Sequence, residues 1–310
     1  MAAGGSKTVI YAAIGGNLAI AITKFIAAAV TGSSAMLSEG VHSFVDTGNG
    51  LLLLWGMRQA AKPPDERHPF GRGKELYFWT LIVAVLIFGI GGGISIYEGA
   101  KHIQHPEAIS NPLINYIVLG LAMLFEGFAW WVAFCEFKKA KGKLGYLQAV
   151  RASKDPTTFT VLFEDTAAML GLIVAFVGVY LGHTFHLPWL DGLASVVIGV
   201  ILCGVASFLA FESKGLLIGE GIDPETKADI EKFVAADPDV DTLVRALSLH
   251  FGPEDVLLTL EIAFRPGLSA AAAAAAVDRM DKAIRAEHTE VKHLFIEAQA
   301  IAEQGQAAAG

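Results

Sequence analysis

Six stretches of this chain are apolar for about 20 residues or more, and that pattern limits the fold more than any other feature. They run at 8–31, 35–57, 76–99, 112–137, 158–182 and 188–211. About 20 helical residues cross the ~30 Å hydrocarbon layer of a bilayer. A chain with six such runs is expected to fold as a membrane all-α six-helix bundle, because a helix satisfies its own backbone groups in lipid. Breaker signals separate the runs: "TGSS", "KPPDERHPFGRGK", "HPEAISNP", a basic loop and "GHTFHLP". Composition agrees. Only 17% of the residues are charged, against ~25% in soluble domains.

Lysine and arginine placement orients the bundle. The loop between spans two and three carries Arg58, Lys62, Arg67, Arg72 and Lys74, and the loop between spans four and five carries Lys138, Lys139, Lys141, Lys143, Arg151 and Lys154. The remaining loops hold only Lys101. Both termini are therefore expected on the cytoplasmic side. The first apolar run lacks a convincing cleavage site and reads as a retained span. The Ala-rich chain, without a targeting segment, reads as a bacterial inner-membrane protein. Cys135 and Cys203 sit in apolar runs and read as small buried hydrophobes, not a disulfide.

The membrane domain is expected to span 1–215 and a cytoplasmic domain 216–310, its last ~10 residues disordered. In the tail, Asp223 is a helix N-cap followed by Pro224. "VRALSLHFG" and "VLLTLEIAF" read as two strands joined by "PED". An Ala-rich helix and a last strand, "VKHLFIEA", complete an α-β-β-α-β order, which suggests a small α+β domain with helices on one face of a sheet. The net charge of −8 lies mostly in this tail and argues against nucleic acid as a partner.

Polar residues inside the spans carry the chemistry. Glu39, His42 and Asp46 share one stripe of span two. A charge at membrane depth costs at least ~2.5 kcal/mol, so such residues usually face the bundle interior and have a task. His42 and Asp46, one turn apart, read as a metal-ligand pair: imidazole nitrogen with carboxylate oxygen suits Zn²⁺, with Mn²⁺, Fe²⁺ and Co²⁺ as alternatives. The competing reading is a hydrogen-bond cluster that only fixes packing. In span five, Glu164 and Asp165 are adjacent and point ~100° apart, so one of them would face a given centre. Asp191 opens span six at its outer end, where it could be wetted. Asn17 and Lys24 share a stripe of span one, and Lys24 could pair with a carboxylate or snorkel.

Four segments, "NLAIAITKFIAAAVTGSSAMLSEGVHSFVDTG", "DERHPFGRGKELY", "YEGAKHIQHPE" and "DGLASVVIGVIL", together resemble the cation diffusion facilitator family over nearly the whole chain. The resemblance implies six spans, a metallochaperone-like (ferredoxin-like) cytoplasmic domain, a homodimer, and exchange of a divalent cation for protons. It implies His42 and Asp46 as the span-two half of the transport site. The span-five Asp, counted back from Gly171, falls on Asp165, and Val161 then stands where the family has a His or Asp ligand. Water or Glu164 would supply the fourth donor. Glu39 falls where many members carry an acid, as an ion's first contact or a proton acceptor. Asp191 and Asn17 are accessory candidates of the same kind.

A second family zinc site looks degraded. Asp65 and His68 match it, but Arg72 replaces the next His, so this loop is expected to bind structurally, across the dimer, and not to hold a metal. The tail keeps His250, His288 and His293 without convincing ligand spacing, and reads as a dimerisation module.

The function expected is divalent cation efflux, Zn²⁺ against H⁺ by alternating access. Mn²⁺, Fe²⁺, Co²⁺ and Cd²⁺ are the alternative cargoes, and no organic cofactor is implied. Expected partners are the lipid bilayer and a second copy, joined through the tail and the membrane helices. The alternative is a non-transporting family member acting as a regulatory or heteromeric subunit. An enzyme is not expected. Glu39-x-x-His42 is the motif of di-iron helices, but its only repeat, at Glu290, lies in the soluble tail.

Overall fold

The computed structural model describes residues 3–106, 111–142 and 144–299. The expectation about the last ten residues falls outside them. The chain divides into two compact units, one formed by 1–59 with 75–214, the other by 60–74 with 215–310.

Among the described residues, the regular elements of the first unit are all helices. Its elements are α1 (Ala3–Thr31), α2 (Ser34–Ala60), α3 (Glu75–Leu86), a π-helical segment (Ile87–Gly93), α4 (Ile94–Gln104), α5 (Pro112–Ala140), a short α6 (Tyr146–Ala152), α7 (Pro156–Thr184) and α8 (Trp189–Ile218). Five stretches are long and apolar enough to cross a membrane: one each from α1, α5, α7 and α8, and the continuous run Glu75–Gln104. The protein is an integral, multi-pass membrane protein. The sixth expected span, α2, is a helix of 27 residues, but Glu39, Asp46 and a series of Ser, Thr and Asn residues leave it less apolar than the other five.

Apolar side chains cover both the inside and the outside of this unit. Met36, Leu119, Leu172, Ile198 and Leu202 lie in its core, while Leu124 (71% exposed), Phe128 (72%) and Phe211 (71%) point outward. Outward apolar surface of that kind belongs against lipid. Cys135 and Cys203, expected buried, are both partly exposed free thiols.

A glycine seam joins the π-helical segment and α4 to α8. A Cβ on Gly99 would stand 2.6 Å from the Gly192 carbonyl oxygen, and one on Gly199 2.8 Å from that of Gly92. The glycines of each partner are two turns apart in sequence, so two antiparallel backbones touch at two levels. Small residues at such crossings replace the hydrophobic effect, which has no force between helices in lipid.

The second unit is built as α9 (Pro224–Ala235), β1 (Val240–Gly252), β2 (Asp255–Phe264), α10 (Ala270–Glu287) and β3 (Val291–Gln299). Asp223 accepts hydrogen bonds from the Glu225 and Thr226 amides, the cap expected from sequence. The sheet order is β1-β2-β3, with β1 antiparallel and β3 parallel to β2. Val256, Leu258, Leu260 and Ile262 alternate along β2 and pack with Ile230 and Val234 of α9 and Met280 and Ile284 of α10. Both helices therefore cover one face.

The other face meets the loop 60–74. Phe70 stacks on Phe251 at 5.1 Å and meets the edge of His293 at 5.1 Å. His293 is in register with Leu257, off the helix-covered face. Close approach at Gly73, where a Cβ would strike the Phe251 carbonyl, seats the loop.

Candidate metal site

Helix α2 carries the site. Its apolar positions are interrupted by Glu39, His42, Ser43, Asp46 and Asn49, spaced by three and four residues, so one stripe of the helix is polar over three turns. The bundle buries that stripe. His42 is 1% exposed, and the Asp46 side chain is 13% exposed. His42 Nδ1 and Asp46 Oδ1 approach to 3.4 Å, but the geometry is not that of a hydrogen bond. Both ring nitrogens and Asp46 Oδ1 are without a hydrogen-bond partner. Buried polar atoms are nearly always partnered, so three orphans on one turn mark a place suited to a ligand.

Further acids stand close. Glu164 is buried on α7, and its Oε1 accepts a hydrogen bond from Asn49 Nδ2 at 3.0 Å. Asp165 is half-buried beside it. Glu126 of α5, which the sequence reading overlooked, is 5% exposed. Glu126, Glu164 and Asp165 all lie within electrostatic reach of Asp46. The signal was available: a lone acid in the middle of an apolar run is as costly at 126 as at 46. Val161 is 40% exposed, on the outside of α7. Among the described residues, no group of three or more His, Cys, Asp and Glu side chains is gathered closely enough to hold a metal. The structure thus joins His42 to Asp46, and leaves Glu164 tied to Asn49 and Asp165 apart.

The accessory candidates fall elsewhere. Glu39 is fully buried, and Lys24 Nζ donates to its Oε2 at 3.1 Å and to Ser43 Oγ at 2.8 Å. Asp191 is not wetted, as its place near a helix end suggested. It is 0% exposed and caps α2. Ser33 Oγ (2.6 Å), the Ser34 amide (2.5 Å), Ser34 Oγ (2.9 Å) and the Ala35 amide (3.3 Å) all donate to it. One turn further along α8, Ser195 Oγ meets Ser38 Oγ at 2.6 Å. A carboxylate at a helix N-terminus satisfies free amides and complements the helix dipole, so the burial follows from the task. Asn17 is half-buried on α1.

Asp65 and His68 lie in the loop of the second unit. Asp65 Oδ1 accepts from the Arg67 and His68 amides at 2.9 and 2.8 Å and meets His68 Nδ1 at 3.0 Å; Arg72 donates to Oδ2 at 2.6 Å. Arg72 and His68 hold the Asp65 carboxyl well below the usual carboxylate range. Both oxygens are engaged within the loop.

Comparison with known proteins identifies the family. Residues 10–218 match the family model of the cation efflux transmembrane domain. The chain belongs to the cation diffusion facilitator family. It is 36% identical over 244 residues to the proton-coupled zinc antiporter SLC30A9, mitochondrial, of Xenopus laevis, covering 78% of this chain and 44% of the relative. It is 31% identical to metal tolerance protein C4 of Arabidopsis thaliana, over 84% of this chain and 57% of the relative. The manganese efflux system protein MneP of Bacillus subtilis is 24% identical, over 71% of each chain. The chain thus spans about half the length of the first two relatives. The family is one of transporters, not enzymes.

Proposed function

We propose that this chain moves a divalent metal cation across a membrane in exchange for protons, with Zn²⁺ as the first cargo and Mn²⁺ as the second. The observation that carries the reading is the His42–Asp46 pair: buried, one turn apart, with three unpartnered polar atoms. The relatives' printed names, a zinc antiporter and a manganese efflux protein, support the same cargo class. In this reading α2 is the sixth span, both termini are cytoplasmic, and the membrane is a bacterial inner membrane.

The chemistry follows from the donor set. A cation that sheds water meets His42 and Asp46 first. Asp165, or Glu164 once released from Asn49, completes the shell when α7 moves toward α2. Metal binding requires a neutral imidazole and ionised carboxylates, so protons and metal compete for the same atoms. Alternating access then makes release on one side a proton-binding event. A homodimer joined through the second unit and the membrane helices belongs to the same proposal; light scattering of the purified protein should give twice the chain mass, and a monomer would remove it.

A second reading, a non-transporting regulatory subunit, draws on the exposed Val161 and the missing third ligand. The test is metal-driven proton flux in liposomes with a pH dye inside, challenged with Zn²⁺, Mn²⁺, Fe²⁺, Co²⁺ and Cd²⁺ beside Asp46→Ala. Flux lost in Asp46→Ala is the expected result. A folded protein silent with every ion would transfer the reading to the regulatory subunit.

A further inference from the structure

Lys24 is the only Lys or Arg that is fully buried among the described residues. Its Nζ bonds Glu39 Oε2 and Ser43 Oγ, so it lies along the same stripe of α2 that carries His42. It is within electrostatic reach of His42, Asp46 and Glu126. The third wall is α7. A Cβ on Gly171 would collide with Glu39 Oε1, the carboxylate's unpartnered oxygen. Three helices therefore fix one ion pair, and two of them are the helices that supply the metal's donors.

An ammonium group cannot ligate a metal, and a carboxylate bonded to it is a poor ligand. The pair's effect on the neighbouring site is its charge. Alone, Glu39 would strengthen the hold on a divalent cation, and Lys24 alone would weaken it. In a buried, poorly screened place these fields are strong. A site that binds too tightly cannot release its cargo.

We propose that the Lys24–Glu39 pair sets the cation affinity of the His42–Asp46 site through its charge balance, with Lys24 a positioning residue that holds Glu39 out of the coordination shell. The inference rests on the metal-transport reading above. It gives Glu39 a different role from that of an ion's first contact.

The test measures KM and maximal rate for Zn²⁺ in the same liposomes, with Kd by calorimetric titration of the purified full chain. Lys24→Met should lower KM and Kd about tenfold and slow the maximal rate, and Glu39→Gln should raise KM and Kd about tenfold. The double variant Lys24→Met/Glu39→Gln, which restores the charge balance, should return to within about twofold of the parent. Opposite shifts cannot come from a merely structural pair, whose loss would reduce the folded fraction and the maximal rate at constant KM. Unchanged KM and Kd in both single variants would overturn the proposal. So would a double variant as weak as Glu39→Gln, since Glu39 would then be a ligand. If Lys24→Met strands its carboxylate and misfolds, Glu39→Gln and the double variant decide. A parent that neither transports nor binds any metal overturns both this inference and the transport reading, whereas a parent whose flux Asp46→Ala abolishes, with KM unmoved in the pair variants, overturns this inference alone.

Discussion

Two carboxylates of the helical unit, Asp191 at the head of α2 and Asp46 three turns along it, differ in every respect but their burial in the helical bundle. Asp191 accepts four hydrogen bonds and is closed off. Asp46 has an oxygen with no partner and a histidine beside it in the same condition. The second unit repeats the first of these styles. Arg279 clamps Asp237 and Asp239, Arg245 bonds Glu261 across the strands, and Arg72 closes on Asp65. Satisfied acids hold the fold. In the proposed function the unsatisfied ones serve a metal ion, and a buried group without a partner costs stability.

That contrast can be broken. Asp191→Ala removes the acceptor from four donors at once and should cost about 3 kcal/mol or more, read as a lower melting temperature in detergent. A loss under ~1 kcal/mol would mean that water replaces the cap. Asp46→Leu should abolish metal-driven flux, yet stabilise the metal-free protein by about 1 kcal/mol, because an apolar group replaces an orphan. Destabilisation of the Asp191 kind would make Asp46 a structural residue. Phe70→Ala should loosen the loop 60–74 by about 1 kcal/mol, seen as faster amide exchange there and nowhere in α2.

The smallest effect concerns pH. Hydrogen bonds from Arg279 hold the Asp237 carboxyl below its usual range. A carboxyl depressed in the folded state contributes stability in full above the ordinary value near 3.8, and loses it as the pH falls through the lower folded value. Amide protection factors at the α10 contact with the α9–β1 turn should thus fall as the pH drops below about 4, and Arg279→Ala should remove the pH step. An unchanged step would assign it to another group.

What the sequence made legible was whatever repeats locally. Apolar runs, the 3-4 spacing of Glu39, His42 and Asp46, the Asp223 cap and the α-β-β-α-β order are all written within a few residues. The Lys24 partner, the Asp191 cap and the glycine seam were not, because each joins positions far apart in the chain, and no local period reports them. Asp191 illustrates the difficulty. Its position near a helix end suggested water, but the neighbouring α2 terminus offered donors that only the packed bundle brings near. Glu126 was legible and overlooked: one acid in an apolar run has no companion spacing to draw attention to it.

The Asp191 cap also has a consequence for how the chain is made. The amides it satisfies at Ser34 and Ala35 precede it by 157 and 156 residues. At the usual rate of synthesis, that separation is a delay of about 8 to 30 s. During that interval the growing protein holds α2, with its acids and imidazole, beside or within the bilayer with its first turn uncapped. Assembly therefore cannot finish helix by helix in order of emergence, because the head of α2 is completed only once α8 has been made.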